Sequence, residues 1–195
     1  MWTRPECQGA APLPRAAHTA TSWGDRFLVI FGGGSAASCH DDIHTLDTRT
    51  MTWHKLELAE PEVCPSPRAG HAAAALGRFW YVVGGGNNTT GCTDVYALDL
   101  AEVPRGRAAW TKLGLLPDRS PITSEGMSLV PISALTGLLA FGGYNGRYQN
   151  ALHLYVSVAD TEPQEQQRSG PETEQNQQQQ QAPGAAPEHP KVREG

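Results

Sequence analysis

Phe27-Leu28-Val29-Ile30-Phe31-Gly32-Gly33-Gly34 is an apolar, β-rich run that stops on glycines, and its recurrence along the chain indicates the fold. Related runs recur at Phe79-Trp80-Tyr81-Val82-Val83-Gly84-Gly85-Gly86 and at Leu138-Leu139-Ala140-Phe141-Gly142-Gly143. The distance from Gly32 to Gly84 is 52 residues, and the distance from Gly84 to Gly142 is 58. A motif that recurs about every 50 residues predicts a repeat architecture.

The sequence around the first two runs repeats as well. Pro14-Arg15-Ala16-Ala17-His18 precedes the first run, and Pro67-Arg68-Ala69-Gly70-His71 precedes the second. After the runs come Asp42-Ile43-His44-Thr45-Leu46-Asp47 with Trp53, and Asp94-Val95-Tyr96-Ala97-Leu98-Asp99 with Trp110. Each unit therefore reads as four short β-segments separated by turn residues, which is the pattern of a propeller blade.

The order of these motifs resembles the kelch repeat over residues 1–158. An all-β fold is expected, a kelch-type β-propeller with about three four-stranded blades that form a partial ring. Glycine accepts positive φ and close backbone approach, which suits the crowded region near a propeller axis. The tryptophans are expected to be core residues within their own blades. The structural repeat motif comprises Gly32, Gly33, Gly84, Gly85, Gly142, Gly143, Trp53 and Trp110.

Four stretches are similar, more specifically, to the kelch portion of plant and algal acyl-CoA-binding-domain proteins. They are residues 66–71, 83–88, 124–129 and 140–148. In that family an N-terminal helical domain binds acyl-CoA esters, and the kelch repeats are regarded as a protein-interaction surface. No four-helix acyl-CoA-binding segment is evident in the sequence, so the resemblance implies acyl-CoA binding only through a domain absent from this chain.

The blades are expected roughly at residues 14–56, 67–113 and 121–158, with residues 1–5 as a stray outer strand. Trp2 lies 13 residues before Arg15, much as Trp53 lies 15 residues before Arg68, so Trp2 aligns with the last strand of a preceding blade. Two explanations stay open. Either the chain is the C-terminal part of a longer protein, or Trp2 supplies the fourth strand of the last blade.

Composition and charge argue against several classes of function. The net charge is −5, but residues 1–159 hold 12 Lys+Arg and 13 Asp+Glu, so no basic stripe predicts nucleic-acid binding. No apolar run approaches the roughly 20 residues of a membrane span. The four cysteines lack C-x-x-C spacing and no signal peptide is apparent, which predicts a cytoplasmic protein with reduced thiols. Residues 159–195 are an acidic Gln/Pro-rich tail that is expected to be disordered.

The small number of blades predicts self-association. Propellers have typically four to eight blades, so about three blades do not close a ring. The terminal blades would then expose apolar faces and unpaired strand edges. Self-association that completes the propeller is therefore a further expectation.

One face of the propeller is the predicted binding surface. In an antiparallel four-stranded blade, the loop before the first strand and the loop between the second and third strands lie on the same face. Exposed loops on a rigid scaffold are where recognition usually resides. Alternatively, the two arginines that recur once per blade are structural and form hydrogen bonds between blades. The predicted partner-binding residues are Arg15, Arg68, Asn87, Asn88, Tyr144, Asn145, Arg147 and Tyr148.

No catalytic constellation is evident in the sequence. Cys39-His40-Asp41-Asp42-Ile43-His44 holds metal-ligand residue types, but no second ligand cluster accompanies it, so neither a metal nor a cofactor is predicted. The leading hypothesis is a non-catalytic interaction module, the kelch part of an acyl-CoA-binding-domain protein, that recruits protein partners of unknown identity. The alternatives are a kelch substrate adaptor of a ubiquitin ligase and an enzyme built on a propeller.

Overall fold

The computed structural model describes residues 1–115, 125–135 and 137–156. The predicted beginning of the third blade (121–124), its last residues (157–158) and the predicted disordered tail (159–195) lie outside this described part. No helix of the described residues is long and apolar enough to cross a membrane. The strands are β1 (Gln8–Gly9), β2 (Thr19–Trp23), β3 (Phe27–Phe31), β4 (Ile43–Asp47), β5 (Thr52–Lys55), β6 (Glu57–Leu58), β7 (Ala72–Leu76), β8 (Phe79–Val83), β9 (Asp94–Asp99), β10 (Arg107–Ala108), β11 (Trp110–Leu115), β12 (Ser128–Ile132), β13 (Gly137–Phe141) and β14 (Leu152–Val156). Short 3₁₀ turns lie at Pro61–Val63, Leu100–Arg105 and Ser133–Leu135.

Blade one is an antiparallel meander of β2, β3, β4 and β5. Thr19 pairs with Phe31 and Trp23 with Phe27, so the β2–β3 hairpin turns at Gly24. The apolar side chains of β3 suit a strand covered on both faces, and aromatic and β-branched residues fit the pleated surface of a sheet. Blade one thus has the four short strands expected from the motif order.

Blade two repeats this arrangement with β7, β8, β9 and β11, each antiparallel to its neighbours. The connection from blade one runs along it, because β6 pairs in parallel with β10 just before β11. Backbone N–H groups of Glu57 and Ala59 donate to the carbonyl oxygens of Gly106 and Ala108 at 3.0 and 2.9 Å. These bonds fix the connector against β10, the segment that precedes the last strand of blade two.

In blade one, the N-terminal segment forms the parallel pair that the connector forms in blade two. β1 runs parallel to β5, with Gln8 opposite Thr52 and Gly9 opposite Trp53. Residues 1–5 form no strand and Trp2 is fully exposed, so the predicted outer strand at residues 1–5 is wrong. A strand needs a partner edge, and among the described residues the N-terminal segment bonds to a sheet through residues 8–10, along the edge of β5.

Blade three contains β12, β13 and β14 in the described residues, paired as an antiparallel sheet. Val130, Leu139 and Leu154 lie opposite one another across the three strands. Trp2 does not pair with this sheet, so the suggestion that it supplies the fourth strand is also wrong.

The hydrophobic core lies between blades, where sheets pack face to face. Phe31 of blade one meets Trp110 of blade two edge-to-face, with ring centroids 5.1 Å apart, and Trp80 and Leu98 are fully buried in the same cluster. Trp110 is only 6% exposed for this reason. Trp53 occupies the same position in blade one but is only partly buried, because no blade of the described chain packs against its side of the sheet.

The paired glycines end the second strand of each blade where the loop before the first strand crosses it. Gly33 and Gly85 have φ of 79° and 83°, in the left-handed region. A Cβ on Gly33 would stand 2.7 Å from the carbonyl oxygen of Ala16, and one on Gly85 would stand 2.7 Å from that of Ala69. Glycine alone fits both the backbone conformation and the space, which explains why the motif recurs. Positive φ is also found at Gly32, Gly84, Gly142 and Gly143.

The outward face of blade three is apolar and exposed. The equivalent face of blade two, which includes Tyr81 and Val83, is covered by blade three. Self-association through the uncovered face stays a prediction. The exposed side chains, each 44% to 64% accessible, are Val130, Phe141, Leu152, Leu154 and Val156.

Candidate interaction surface

The loops before the first strand and between the second and third strands meet at one end of every blade. The blades are joined at the same end, because Gly70 N–H donates to the Ala17 carbonyl oxygen and Gly126 N–H donates to that of Gly70. The surface at this end, here called the loop face, comprises residues 16–18, 34–39, 69–70, 86–91, 125–126 and 144–148. Backbone bridges across it pair Ala16 with Gly34, Ala69 with Gly86, and Glu125 with Tyr144.

Arg15 and Arg68 lie beneath the loop face and not on it. Arg68 is fully buried and donates to Asp94 Oδ1 at 2.7 Å. The Arg15 side chain is 4% exposed and donates to both carboxylate oxygens of Asp42, at 2.6 and 3.0 Å. Each arginine also donates to the carbonyl oxygen of the first glycine in its blade's motif. The prediction that their side chains contact a partner is therefore wrong, because burial puts both guanidinium groups out of reach.

The alternative interpretation was that these arginines are structural and form hydrogen bonds between blades, and it is correct in part. Their side-chain hydrogen bonds lie within a blade, whereas the bonds between blades come from the backbone of Arg68. Its carbonyl oxygen accepts from Gly33 N–H at 2.9 Å, and its N–H donates to the His40 carbonyl oxygen at 3.1 Å. Arg68 thus fixes the first two blades to each other and also holds its own blade together.

The second aspartate of each Asp-x-x-x-x-Asp motif has an arginine partner of its own. Asp47 pairs with Arg26, and Asp99 pairs with Arg78. The hydrogen bond from Arg26 lowers the pKa of Asp47 to about 2. Sequence reasoning missed both pairs, although Arg26 and Arg78, like Asp47 and Asp99, are 52 residues apart and follow the repeat.

The stretch from Cys39 to His44 is not arranged as a set of metal ligands. His44 Nε2 lies 3.0 Å from Asp42 Oδ2, and its Nδ1 lies 3.0 Å from the Ala10 carbonyl oxygen. Burial alone would raise the pKa of Asp42, but hydrogen bonds from Arg15 and His44 outweigh it and lower that pKa to about 2. Within the ranges that the structure describes, no group of three His, Cys, Asp or Glu side chains could hold a metal ion.

Asn87 and Asn88 are exposed on the loop face and shape it. The Asn87 Oδ1 accepts from the backbone N–H groups of Thr89 and Thr90, at 3.1 and 2.9 Å, so this side chain stabilises its own turn. Asn88 Nδ2 lies 3.5 Å from the Ser35 carbonyl oxygen, across the boundary between blades one and two.

Tyr144, Asn145, Arg147 and Tyr148 are exposed on the loop face of blade three. The two tyrosine rings lie side by side, with centroids 5.2 Å apart and planes tilted by 55°. Tyr144 is 48% exposed and Tyr148 is 89% exposed. Aromatic residues and arginine are the side chains that protein interfaces favour.

Glu125 is a loop-face residue that the sequence reasoning missed. Its side chain is exposed and extends over blade two, since a Cβ on Gly86 would stand 2.3 Å from Glu125 Oε1. A comparison of the three repeats could have identified Glu125. Ala16 and Ala69 occupy the same position in the other blades, so a carboxylate here departs from the pattern.

His71 joins blades one and two directly below the loop face. Its Nε2 lies 2.6 Å from Thr19 Oγ1, and its ring meets Phe31 with centroids 5.4 Å apart. Burial lowers the pKa of His71 to about 3, and the positive charges of Arg68 and His18 lower it in the same direction. The imidazole is therefore neutral at the boundary between the blades.

This neutral histidine predicts a pH-dependent stability. The unfolded chain binds a proton at His71 near pH 6.5 whereas the folded chain does not, so stability is lost as the pH falls from 6.5 toward about 3. We expect the free energy of unfolding to drop by about 2 kcal/mol between about pH 6.5 and 4.5, measured by urea denaturation. Asp42 acts in the same sense only at lower pH.

His18 provides the matched control for this measurement, because it occupies the equivalent position in blade one and is exposed. The His71→Gln variant should show a nearly flat profile over this range, whereas His18→Gln should keep the pH dependence. A flat profile in the unmodified chain would refute the assignment to His71.

Comparison with known proteins groups the chain with kelch-repeat proteins. The family model described as KLHDC2/KLHL20/DRC7 Kelch-repeats domain matches residues 1–143. Over 156 residues, or 78% of this chain, the sequence is 43% identical to acyl-CoA-binding domain-containing protein 4 of Arabidopsis thaliana, and 40% identical to acyl-CoA-binding domain-containing protein 5 of the same plant. It is also 39% identical over 90 residues, 43% of this chain, to the Rab9 effector protein with kelch motifs of Rattus norvegicus. The matched regions cover only 22%, 23% and 23% of these relatives.

Proposed function

The chain belongs to the KLHDC2/KLHL20/DRC7 kelch-repeats family, and from that premise we propose that it is a non-catalytic module that recruits a protein partner through its loop face. Kelch repeats indicate protein interaction as a class of function, but one fold carries many functions, so the role has to be argued from the surface. The observation that carries the proposal is the exposed group of Tyr144, Asn145, Arg147 and Tyr148.

The scaffold beneath this group is rigid, which favours binding. Antiparallel bridges hold Tyr144 against Glu125 on one side and against Tyr148 on the other. The N–H of Gly126 donates to the Gly70 carbonyl oxygen at 2.8 Å and ties the same loops to blade two. A surface that is already ordered before binding loses little conformational entropy in the complex.

The test compares the full chain with a double variant of the loop face. The unmodified chain and Tyr144→Ala/Tyr148→Ala would each be immobilised, and proteins retained from cell extract would be quantified by mass spectrometry. Truncation of central aromatic residues typically weakens an interface strongly, so retention of the specific partner should fall by about tenfold or more. The Lys55→Ala/Glu57→Ala variant is the matched control, since both residues are exposed and lie outside the loop face. A set of bound proteins that is the same for all three chains would contradict the proposal.

We further propose that the chain corresponds to the kelch region of an acyl-CoA-binding-domain protein. The identities of 43% and 40% to the two Arabidopsis proteins support this assignment. Acyl-CoA is not proposed as a ligand of the loop face. A cytoplasmic location is part of the same proposal, and the four unpaired cysteines, Cys7, Cys39, Cys64 and Cys92, are compatible with it. The two alternative functions, a ubiquitin-ligase adaptor and an enzyme built on a propeller, stay predictions. No contact among the described residues favours either of them.

A further inference from the structure

Blade three carries a row of three side chains that has no counterpart in the other blades. Glu125 pairs with Tyr144, and Tyr144 pairs with Tyr148, both through antiparallel bridges. Residues directly opposite in antiparallel pairs project to the same side of a sheet. One carboxylate and two phenol rings therefore stand next to one another on the loop face.

The same row in the other two blades holds only small residues. Blade one has Ala16, Gly34 and Cys39 at these positions, and blade two has Ala69, Gly86 and Gly91. In blade two the lack of a side chain on Gly86 leaves room for the Glu125 carboxylate, which lies over it. The large side chains of blade three are not required by any comparable packing, since Tyr144 is 48% and Tyr148 is 89% exposed.

A depression of about 400 Å³ lies beside this row. Glu125, Tyr144, Asn145 and Gly146 line it on the side of blade three, and Gly85 and Gly91 line it on the side of blade two. The glycines leave the backbone of blade two uncovered there. The space is large enough for one long side chain of a partner.

The negative groups beside the depression favour a positively charged side chain of the partner. Glu125 forms no ion pair with any of the residues that the structure describes. The faces of the two tyrosine rings carry negative potential and attract cations within about 6 Å. Arg147 is the nearby cation along the chain, and it pairs neither with Glu125 nor with any other carboxylate that the structure describes.

We propose that Glu125, Tyr144 and Tyr148 form a cradle for an arginine or lysine side chain of the partner protein. This inference rests on the proposed function and adds the chemistry of the partner to it. The carboxylate accepts hydrogen bonds from the guanidinium or ammonium group, while the tyrosine rings contact the stem and the cation of the same side chain.

The experiment titrates ¹⁵N-labelled full-length chain with the peptide acetyl-Gly-Gly-Arg-Gly-Gly-amide. Three further peptides replace the arginine with lysine, with glutamate or with citrulline, which keeps the shape of arginine but is neutral. We expect the arginine peptide to shift the amide resonances of Gly85, Gly91 and Gly146. The citrulline peptide should bind about two- to fivefold more weakly, as the loss of an exposed charge pair predicts.

Variants of Glu125 and Tyr148 test whether these residues bind the arginine peptide. Glu125→Gln should weaken the binding of the arginine peptide by about two- to fivefold. Tyr148→Ala should weaken this binding to a similar extent through the loss of the ring. Because Tyr148 is 89% exposed, the Tyr148→Ala variant should keep its fold, and its amide spectrum checks this. Glu57→Gln is the control, since Glu57 is an exposed glutamate on β6, outside the loop face.

The outcomes separate the cradle from the wider proposal. Equal binding of the arginine and citrulline peptides, preference for the glutamate peptide, or no shift at about 10 mM arginine peptide would each overturn the cradle. A partner that is lost in Tyr144→Ala/Tyr148→Ala but retained fully in Glu125→Gln would overturn the cradle alone and leave the interaction function standing. A partner lost in neither variant would remove the interaction function, whatever the peptides bind.

Discussion

Replacing Gly33 with valine is expected to unfold blade one, with a loss of at least about 4 kcal/mol in the free energy of unfolding. The new Cβ would stand 2.7 Å from the Ala16 carbonyl oxygen and 2.7 Å from the His18 Cβ. Neither atom can move away easily, because Ala16 exchanges two backbone hydrogen bonds with Gly34, at 2.9 and 3.0 Å. The positive φ of Gly33 adds strain that a β-branched residue tolerates poorly. Circular dichroism during thermal melting measures the loss.

Gly24 provides the matched control in the same blade. Its φ of 54° is also left-handed, but a Cβ there would meet nothing within 4 Å. Gly24→Val should therefore cost only the backbone strain, about 1–2 kcal/mol. If the two variants melt at the same temperature, the close approach of the Ala16 loop to Gly33 is not the reason why glycine recurs at this position of the blades. The explanation given for the motif then fails.

Replacing Arg68 with methionine is expected to cost about 3–5 kcal/mol, because it removes one partner of a buried ion pair. The Asp94 carboxylate, whose side chain is 16% exposed, would keep one ion-pair partner among the described residues, Lys112 Nζ at 3.8 Å. The Gly84 carbonyl oxygen would also lose its donor. Methionine fills much of the volume of the arginine stem, so the loss reports on charge and hydrogen bonds more than on packing. Urea denaturation followed by tryptophan fluorescence measures it.

The control for this prediction is Arg78→Met, which removes an arginine from the equivalent type of pair at the surface. The Arg78 side chain is 58% exposed, so water replaces its contact with Asp99 and the change in stability should be small. An Arg68→Met variant as stable as Arg78→Met would show that the buried pair contributes little to this fold. Arg68→Met/Asp94→Asn should recover part of the loss, since it removes the uncompensated carboxylate.

Features set by local geometry could be predicted from the sequence. The apolar run ending on glycines gave the second strand of each blade, because strand pattern and positive φ are properties of a few neighbouring residues. The exposed residues of the candidate surface in blade three, Tyr144 to Tyr148, were predicted for a similar reason. Their loop follows a glycine pair, and the blade topology determines which face such a loop joins.

Burial and pairing across the repeat could not be predicted in this way. Arg68 and Tyr148 both read as polar surface residues, yet one is fully buried and the other is 89% exposed. Asp94, the partner of Arg68, is 26 residues away, so no local pattern connects them. The predicted strand at residues 1–5 failed similarly, since a strand depends on a distant partner, and the N-terminal segment bonds to β5 through residues 8–10 instead.

The repeat, the strands of each blade, the glycine turns and the loops that share a face all follow from the sequence alone. These depend on the period of the chain and on backbone conformation, which the residues carry locally. Three features depend on the tertiary structure: Trp110 is buried whereas Trp53 is only partly buried, the recurring arginines lie beneath the surface, and Glu125 stands beside two tyrosines. Burial depends on the neighbouring blade, and side-chain neighbours depend on register between distant segments, so neither is a property of the motif.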